Sequence, residues 1–443
     1  MTPAPAAQPA QAKPDSNELL TNTAQKTPAG EMFRRYWHPV ALAEELPEGG
    51  APVPLRILGE DLVLFRDDAG RIGLLGRACP HRCTDLSYGR IEDGGLRCLY
   101  HGWLFDINGK CLDQPAEPEN STYKDEIKHT AYPCVERSGA IFAYMGALTD
   151  SGEAPPFPDF EFLRMKPDHL SLYKVRLDCN YLQACEGDYD PSHLSYLHRR
   201  LNPQRDHDAI KGGDGTQDAN FFFARGLRPK LTAEKTGYGV RIFSTRPAAP
   251  GKKYLRVTNF VLPSIACIAG RQAGDGYTAV WRVPIDDTHH WRFTFQFQRS
   301  KPVDRKYYDE ANRAEIAPDY TLLRNQSNRY KQDRQSMNEG NFTGMGPAFM
   351  VHDAFAAETQ GAVHDRSREH LGTTDMVVAT VRRLMRDAVK AAERQPGQPT
   401  TFRDRESPSD PANLVVVDAV VDEAIENNEY VRRVIAGEVN ETA

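Results

Sequence analysis

The chain has 443 residues, 40% hydrophobic and 26% charged. That length exceeds one ordinary core and the composition is that of globular proteins, so two domains with appendages are expected. Asp and Glu (61) outnumber Lys and Arg (55) for a net charge of -6, which argues against a nucleic-acid partner, and no run approaches the ~18 apolar residues of a membrane span. The eight cysteines, Cys79, Cys83, Cys98, Cys111, Cys134, Cys179, Cys185 and Cys267, are scattered. That usage predicts a cytoplasmic protein rather than a disulfide scaffold.

In chain order, the Ala/Pro/Gln-rich start reads as a disordered tail over 1–28. Residues 29–150 read as a small all-β domain. Its short strands include Leu55–Leu58, Leu62–Phe65, Ile72–Leu75 and Ile141–Tyr144, and Asn108-Gly109 is a hairpin signal. Pro155, Pro156 and Pro158 mark a boundary to a second domain over 151–400. There Leu177–Arg199 is helical in tendency. Phe221–Arg225, Gly239–Thr245, Leu255–Leu262, Tyr277–Val283 and His290–Gln298 are β-rich, which predicts an antiparallel sheet of about five to six strands. Met376, Val377, Val381, Leu384, Met385 and Val389 have helical spacing over Thr374–Glu393, with Thr373 or Thr374 as N-cap. Val415–Ile435 is expected as a last helix in a helical extension over 401–443. The fold class is α+β.

Two Cys/His couples stand out in the first domain. Cys79-Pro80-His81 is followed, sixteen residues on, by Cys98-Leu99-Tyr100-His101. Two thiolates and two imidazoles can hold a [2Fe–2S] cluster. The same four groups are also a zinc ligand set, although zinc fingers favour C-x2-4-C with H-x3-5-H and here each loop mixes one Cys with one His. The run CPH…CLYHGWLFDINGKC resembles the signature of a Rieske domain. That resemblance implies Cys79 and Cys98 on one iron and His81 and His101 on the other, where neutral histidines raise the reduction potential. Cys83 has no spare cysteine in the second loop to pair with, so it is expected as a small packed residue.

A second cluster of ligand types is Asp190-Pro191-Ser192-His193-Leu194-Ser195-Tyr196-Leu197-His198. Two histidines with a carboxylate can hold a mononuclear metal and leave positions open for O2. His193 and His198 are five apart, ~140° around an ideal helix, so only a break or a π-turn would let them converge. On a purely structural reading, Asp190 caps a helix that begins at Pro191.

The pattern D-x2-H-x4-H resembles the Rieske non-haem iron oxygenases. Cys185-Glu186-Gly187-Asp188 and Asp365-Arg366-Ser367-Arg368-Glu369-His370-Leu371-Gly372 bring it nearest to the phthalate dioxygenase-like α subunits. The resemblance implies a helix-grip (START/TBP-like) catalytic domain with C-terminal helices. It implies Fe(II) on His193, His198 and Asp353, with Glu358 and Asp365 as rivals for the carboxylate. Asp190 would bridge His101 of one subunit to His193 of its neighbour, so a homotrimer or stacked trimers are expected. One departure is that Glu186, Gly187 and Asp188 stand where many relatives have an Asn, with Asn180 further back. Glu186 and Asp188 are read as structural.

The function expected from these parts is a terminal oxygenase that uses O2 to hydroxylate an aromatic carboxylate, or to O-demethylate a methoxylated one. No flavin or nicotinamide motif is present, so an NAD(P)H-dependent reductase is expected as a separate chain. The competing classes are a Rieske electron carrier, which the ~300 residues beyond the cluster domain disfavour, and a small-molecule binder that has lost its iron. A carboxylate substrate calls for an arginine. The candidates are Arg205, Arg241, Arg246 and Arg256. Arg241 and Arg246 are expected on opposite faces of one strand, with apolar lining from Phe221–Phe223, Phe260 and Leu262.

Overall fold

The computed structural model describes residues 17–201, 222–223, 226–270, 275–395 and 414–440. Three small antiparallel sheets build the N-terminal domain. Trp37–Leu42 pairs with Ala140–Tyr144, and that strand with Cys134–Arg137. Val53–Ile57, Glu60–Arg66, Ile72–Gly76 and Ala131–Tyr132 form the second sheet, and Arg90–Glu92, Gly95–Arg97, Leu104–Phe105 and Cys111–Asp113 the third. The Asn108-Gly109 turn closes the last hairpin as expected. Gly109 has φ 76°, and a Cβ there would lie 2.2 Å from the His129 carbonyl oxygen, so only glycine fits. A small apolar core of Val63, Phe65, Leu75, Leu86, Leu96, Trp103 and Phe105 supports the third sheet.

An eight-stranded antiparallel sheet forms the larger domain. Leu170–Leu177 lies at one edge, followed by His290–Phe297, Thr278–Pro284, Ile265–Ile268, Lys252–Val261, Gly239–Pro247 and Lys230–Lys235. The eighth strand corrects the expected final helix. Val417–Asp422 pairs with Lys252–Val257, along the part of that edge that Ile265–Ile268 leaves unpaired. Its valines favour a pleated surface over a helix, and burial alternates along it. The helix begins only at Asn427 and ends at Ile435, so the C-terminal extension is a strand plus a helix. Phe222 and Phe223, expected on a strand, are helical.

Met376–Arg394 is the expected amphipathic helix. Its Val377, Val381, Met385 and Val389 are buried against the sheet and against the helix Pro28–Arg34. It is entered through a 3-10 turn over Thr373–Asp375, where Asp375 rather than a threonine accepts from the Gly372 N–H at 2.6 Å. Residues 17–28 are not a tail. Leu20 and Thr23 are buried, and the Asn17 side chain donates to the His364 carbonyl.

The two domains share one core. Phe142 lies 5.7 Å from Trp281 and 6.4 Å from Phe295, ring centre to ring centre. Lys174 crosses the boundary to Glu45 at 2.7 Å, its ammonium over Trp291 and Tyr320. Among the described residues no helix is long and apolar enough to cross a membrane.

Val417 is fully buried on the added strand. Val417→Asp is therefore expected to cost about 3 kcal/mol in urea unfolding, because it buries a carboxyl without a partner. A loss under about 0.5 kcal/mol would mean that this strand is not docked.

Candidate metal centres

The two Cys/His loops share one backbone design. Cys79 N–H donates to the Thr84 carbonyl and Cys98 N–H to that of Trp103, both at 2.8 Å. Cys83 N–H returns to the Cys79 carbonyl and Gly102 N–H to that of Cys98. The residue four after each cysteine is left-handed, Cys83 at φ 57° and Gly102 at φ 77°. Cys83 is thus the counterpart of Gly102, and it is exposed rather than packed.

The cysteines Cys79 and Cys98 are buried with their thiols in contact. Burial pushes the Cys79 thiol up to about 12, although hydrogen bonds from the His81 and Arg82 amides work against it. Those amides suit a bound thiolate. The His81 ring stacks on Trp103 at 4.5 Å and lies edge-on to His101 at 4.5 Å. Nδ1 of His101 is buried with no hydrogen-bond partner among the described residues. Two paired thiols with amides aimed at the sulfur, and an unpartnered imidazole nitrogen, fit a [2Fe–2S] cluster.

The second centre depends on a broken helix. Tyr181–Tyr189 is helical, with Asn180 as N-cap accepting from Leu182 N–H. Asp190 is extended, and the chain restarts as a 3-10 turn over His193–Ser195. That turn stops at Ser195 and Tyr196 is non-helical (φ -125°, ψ -61°), so no regular helix joins His193 to His198 with its ~140° separation, and their ring centres come to 5.0 Å. Asp353 arrives from the helix Phe349–Glu358. Ligand atoms of His193, His198 and Asp353 lie within 4.8 Å of one another, with His198 Nε2 2.9 Å from Asp353 Oδ1.

The electrostatics of His198 and Asp353 suit a metal, while at His193 burial is outweighed by Asp190 and Asp353, which raise its pKa. Burial pushes His198 down to about 4, outweighing the attraction of Asp353. Burial also opposes ionisation of Asp353, but His198, Arg292 and His193 more than offset it and hold the carboxyl well below the usual range. A neutral imidazole beside an ionised carboxylate is the protonation state that metal ligation requires.

Comparison with known proteins agrees with this geometry. The Rieske [2Fe-2S] domain family matches residues 36–128, and the family described as LigXa C-terminal domain like matches 143–442. The oxygenase subunit of phthalate 4,5-dioxygenase from Pseudomonas putida is 37% identical over 393 residues, 85% of this chain and 86% of that protein. The chain belongs to the Rieske oxygenases. The oxygenase subunit of 3-chlorobenzoate-3,4-dioxygenase from Comamonas testosteroni is 30% identical over 398 residues, covering 85% of this chain and 88% of its own. The terminal oxygenase of carbazole 1,9a-dioxygenase from Novosphingobium sp. KA1 shares the fold, with TM-score 0.57 at 20% identity over 87% of this chain and 99% of that one.

In this Rieske oxygenase the rivals of Asp353 have other work. Glu358 accepts from Tyr330 Oη at 2.6 Å and from the Asp178 amide, and Asp365 caps a 3-10 turn. Asp190 accepts from the backbone of Ser192 at 2.8 Å and of His193 at 3.1 Å, while its Oδ2 lies 3.5 Å from His193 Nδ1. Glu186 and Asp188 are structural, as expected. Arg382 grips Glu186 through Nε and Nη2 at 2.6 and 2.9 Å, and Arg282 grips Asp188 through Nε and Nη2 at 2.5 and 2.9 Å. Arg366 and Glu369 of the DRSREHLG motif join that network at Glu186 and Arg382.

The arginines nominated for substrate are mostly spent. Arg205 lies outside the described residues. Arg241 and Arg246 do face opposite ways. Arg241 pairs with Glu234 at 3.3 Å, and Arg246 donates to the carbonyls of Pro191 and Gly226, pinning the histidine loop to the sheet. Arg256 donates to the Ala269 carbonyl.

Sequence reasoning missed His352. Its Nε2 lies 2.9 Å from the Gly346 carbonyl, which can only accept, so Nδ1 is left as an acceptor for His198 Nδ1 at 3.2 Å. That relay leaves His198 Nε2 unprotonated and facing Asp353. The Phe349 ring stacks on His198 at 4.3 Å and fixes its plane. The only hint in the sequence is adjacency to Asp353.

His352→Ala is expected to weaken metal retention by about 10- to 100-fold, read by chelator competition, with the cluster spectrum intact. Gly102→Val is expected to lose the cluster, since a Cβ there meets Pro115 Cγ at 2.7 Å, whereas Cys83→Gly should keep it. Cluster absorbance per chain checks both.

Proposed function

We propose that the chain is a terminal oxygenase component that takes electrons from a separate NAD(P)H-dependent reductase and hydroxylates an aromatic carboxylate of the phthalate or benzoate class. The convergence of His193, His198 and Asp353 in a chain that also carries the Rieske loops supports this reading. An electron carrier would have no use for a buried second ligand set. The aromatic-acid class draws support from the names of the relatives, which act on phthalate and 3-chlorobenzoate.

Cys79, His81, Cys98 and His101 hold the [2Fe–2S] cluster, and His193, His198 and Asp353 hold Fe(II). Iron at a two-histidine, one-carboxylate face supplies reductive activation of O2 at its open positions. The protein keeps His198 neutral through burial and its tautomer through His352. It keeps Asp353 ionised, and it packs the helix Phe349–Glu358 on the sheet through Met350, Val351 and Ala354.

Asp190 is the bridging residue. Its side chain is 22% exposed beside His193, as a carboxylate must be to reach His101 of a neighbouring subunit. We read the assembly as a homotrimer or stacked trimers in the cytoplasm, an arrangement in which a head-to-tail bridge between neighbours closes as a ring.

The wild-type protein should hold about three irons per chain, two in the cluster and one at the triad. Asp353→Ala is expected to lose about one of them and all O2-dependent turnover, with the reduced-cluster EPR signal kept. Two irons in both proteins would sink the oxygenase reading. Asp190→Asn is expected to keep iron and cluster and to slow turnover by about 100-fold. In the active protein, formaldehyde from a methoxylated acid would identify O-demethylation, and a cis-diol would identify dioxygenation.

A further inference from the structure

An aromatic acid needs a cation near the triad, and a residue outside the expected set supplies it. The strand His290–Phe297 alternates Trp291, Phe293, Phe295 and Phe297 on one face with Arg292, Thr294 and Gln296 on the other. Opposite Arg292 stands Val175, and opposite Thr294 stand Tyr173 and Val280. Tyr173 and Val175 share a core with Met350, Val351 and Ala354 of the helix that bears Asp353. The polar row therefore lies under the triad's carboxylate helix.

Arg292 is 7% exposed, and its Nη2 approaches Asp353 Oδ2 only to 4.0 Å. Its Nε and Nη1 are buried and have no hydrogen-bond partner among the described residues. Thr294 is fully buried, and its Oγ1 is likewise unpartnered. Gln296, next in the row, is satisfied by Asn312 at 3.0 Å. Arg282, beside Arg292 in register, is used by Asp188 and His290.

A buried guanidinium with two idle nitrogens is costly unless an anion joins it. Once Asp353 ligates a divalent metal, its charge is shared with that ion and Arg292 is left without a counter-charge of its own. We propose that Arg292 receives the substrate's carboxylate and so sets the ring against the triad, with Thr294 further along the same face. This deepens the aromatic-acid reading above and rests on it. The planar fork suits a carboxylate. Thr294 lies ~7 Å further along the strand, two residues at ~3.4 Å each, where its hydroxyl meets the other end of the ring or a second substituent.

The test is calorimetric binding of benzoate, phthalate and uncharged benzamide to the iron-loaded protein. Wild type is expected to favour the acids over benzamide. Arg292→Gln is expected to lose about 30-fold or more in affinity for the acids, with benzamide binding, iron content and cluster absorbance unchanged. Should Arg292→Gln fail to fold, Arg292→Lys carries the test. It keeps the charge without the fork, and a loss of about 10-fold for the acids is expected. Acid affinity equal to wild type in the variant that folds would overturn the assignment while leaving the aromatic-acid reading intact. Loss of iron in Arg292→Gln would also overturn it, by making the residue a support for Asp353. A wild type that prefers benzamide would overturn both readings.

Discussion

The arrangement of the catalytic domain hangs on one interruption. Between Tyr189 and His193 the chain leaves the helix, extends at Asp190 and re-enters as a 3-10 turn. The turn in its place ends at Ser195, and the non-helical Tyr196 lets His193 and His198 converge where a continuing helix would part them. The break is held from several sides. Arg282 and Arg382 clamp Asp188 and Glu186 on the helix before it, and Arg246 ties the Pro191 carbonyl to the sheet. Each is a charge-assisted contact in a buried setting, where removing one partner is far costlier than in water.

The sheet turns two different faces to its surroundings. Trp281 and Phe295 weld it to the N-terminal domain through Phe142. The opposite side buries Arg246, Arg282, His290, Arg292 and Thr294. Buried polar groups are normally paired, and most of these are. Of these five, Arg292 and Thr294 keep unpartnered polar atoms, and Arg292 lies 4.0 Å from Asp353.

The cluster loops apply the same economy of design to the backbone. Each closes with the same pair of hydrogen bonds and the same left-handed residue. Glycine takes that conformation freely, while a cysteine there is strained by its Cβ. Cys83 marks where the pseudo-symmetry is kept in geometry but not in residue type.

Residue types and short spacings were enough for the chemistry of the chain. The two Cys/His couples and the His193/His198 pair are visible as candidate metal ligands from residue type and spacing, whereas Asp353 was named only through the family resemblance, with Glu358 and Asp365 as rivals; Gly109 and the Met376–Arg394 stripe are visible because local sterics and helical periodicity decide them. Longer-range facts were not visible. Val415–Ile435 was expected as one helix, yet its first part is drawn into the sheet by the open edge of a strand 160 to 170 residues earlier. His352 and Arg292 have no local pattern that marks them. His352 matters because its ring meets His198 across the fold, and Arg292 because a helix from far down the chain covers its strand. The sequence by itself determined which groups could bind metal and how the backbone turns around them. Only the tertiary structure decided which polar groups are buried, paired or left idle, because burial and pairing depend on elements far apart in the chain.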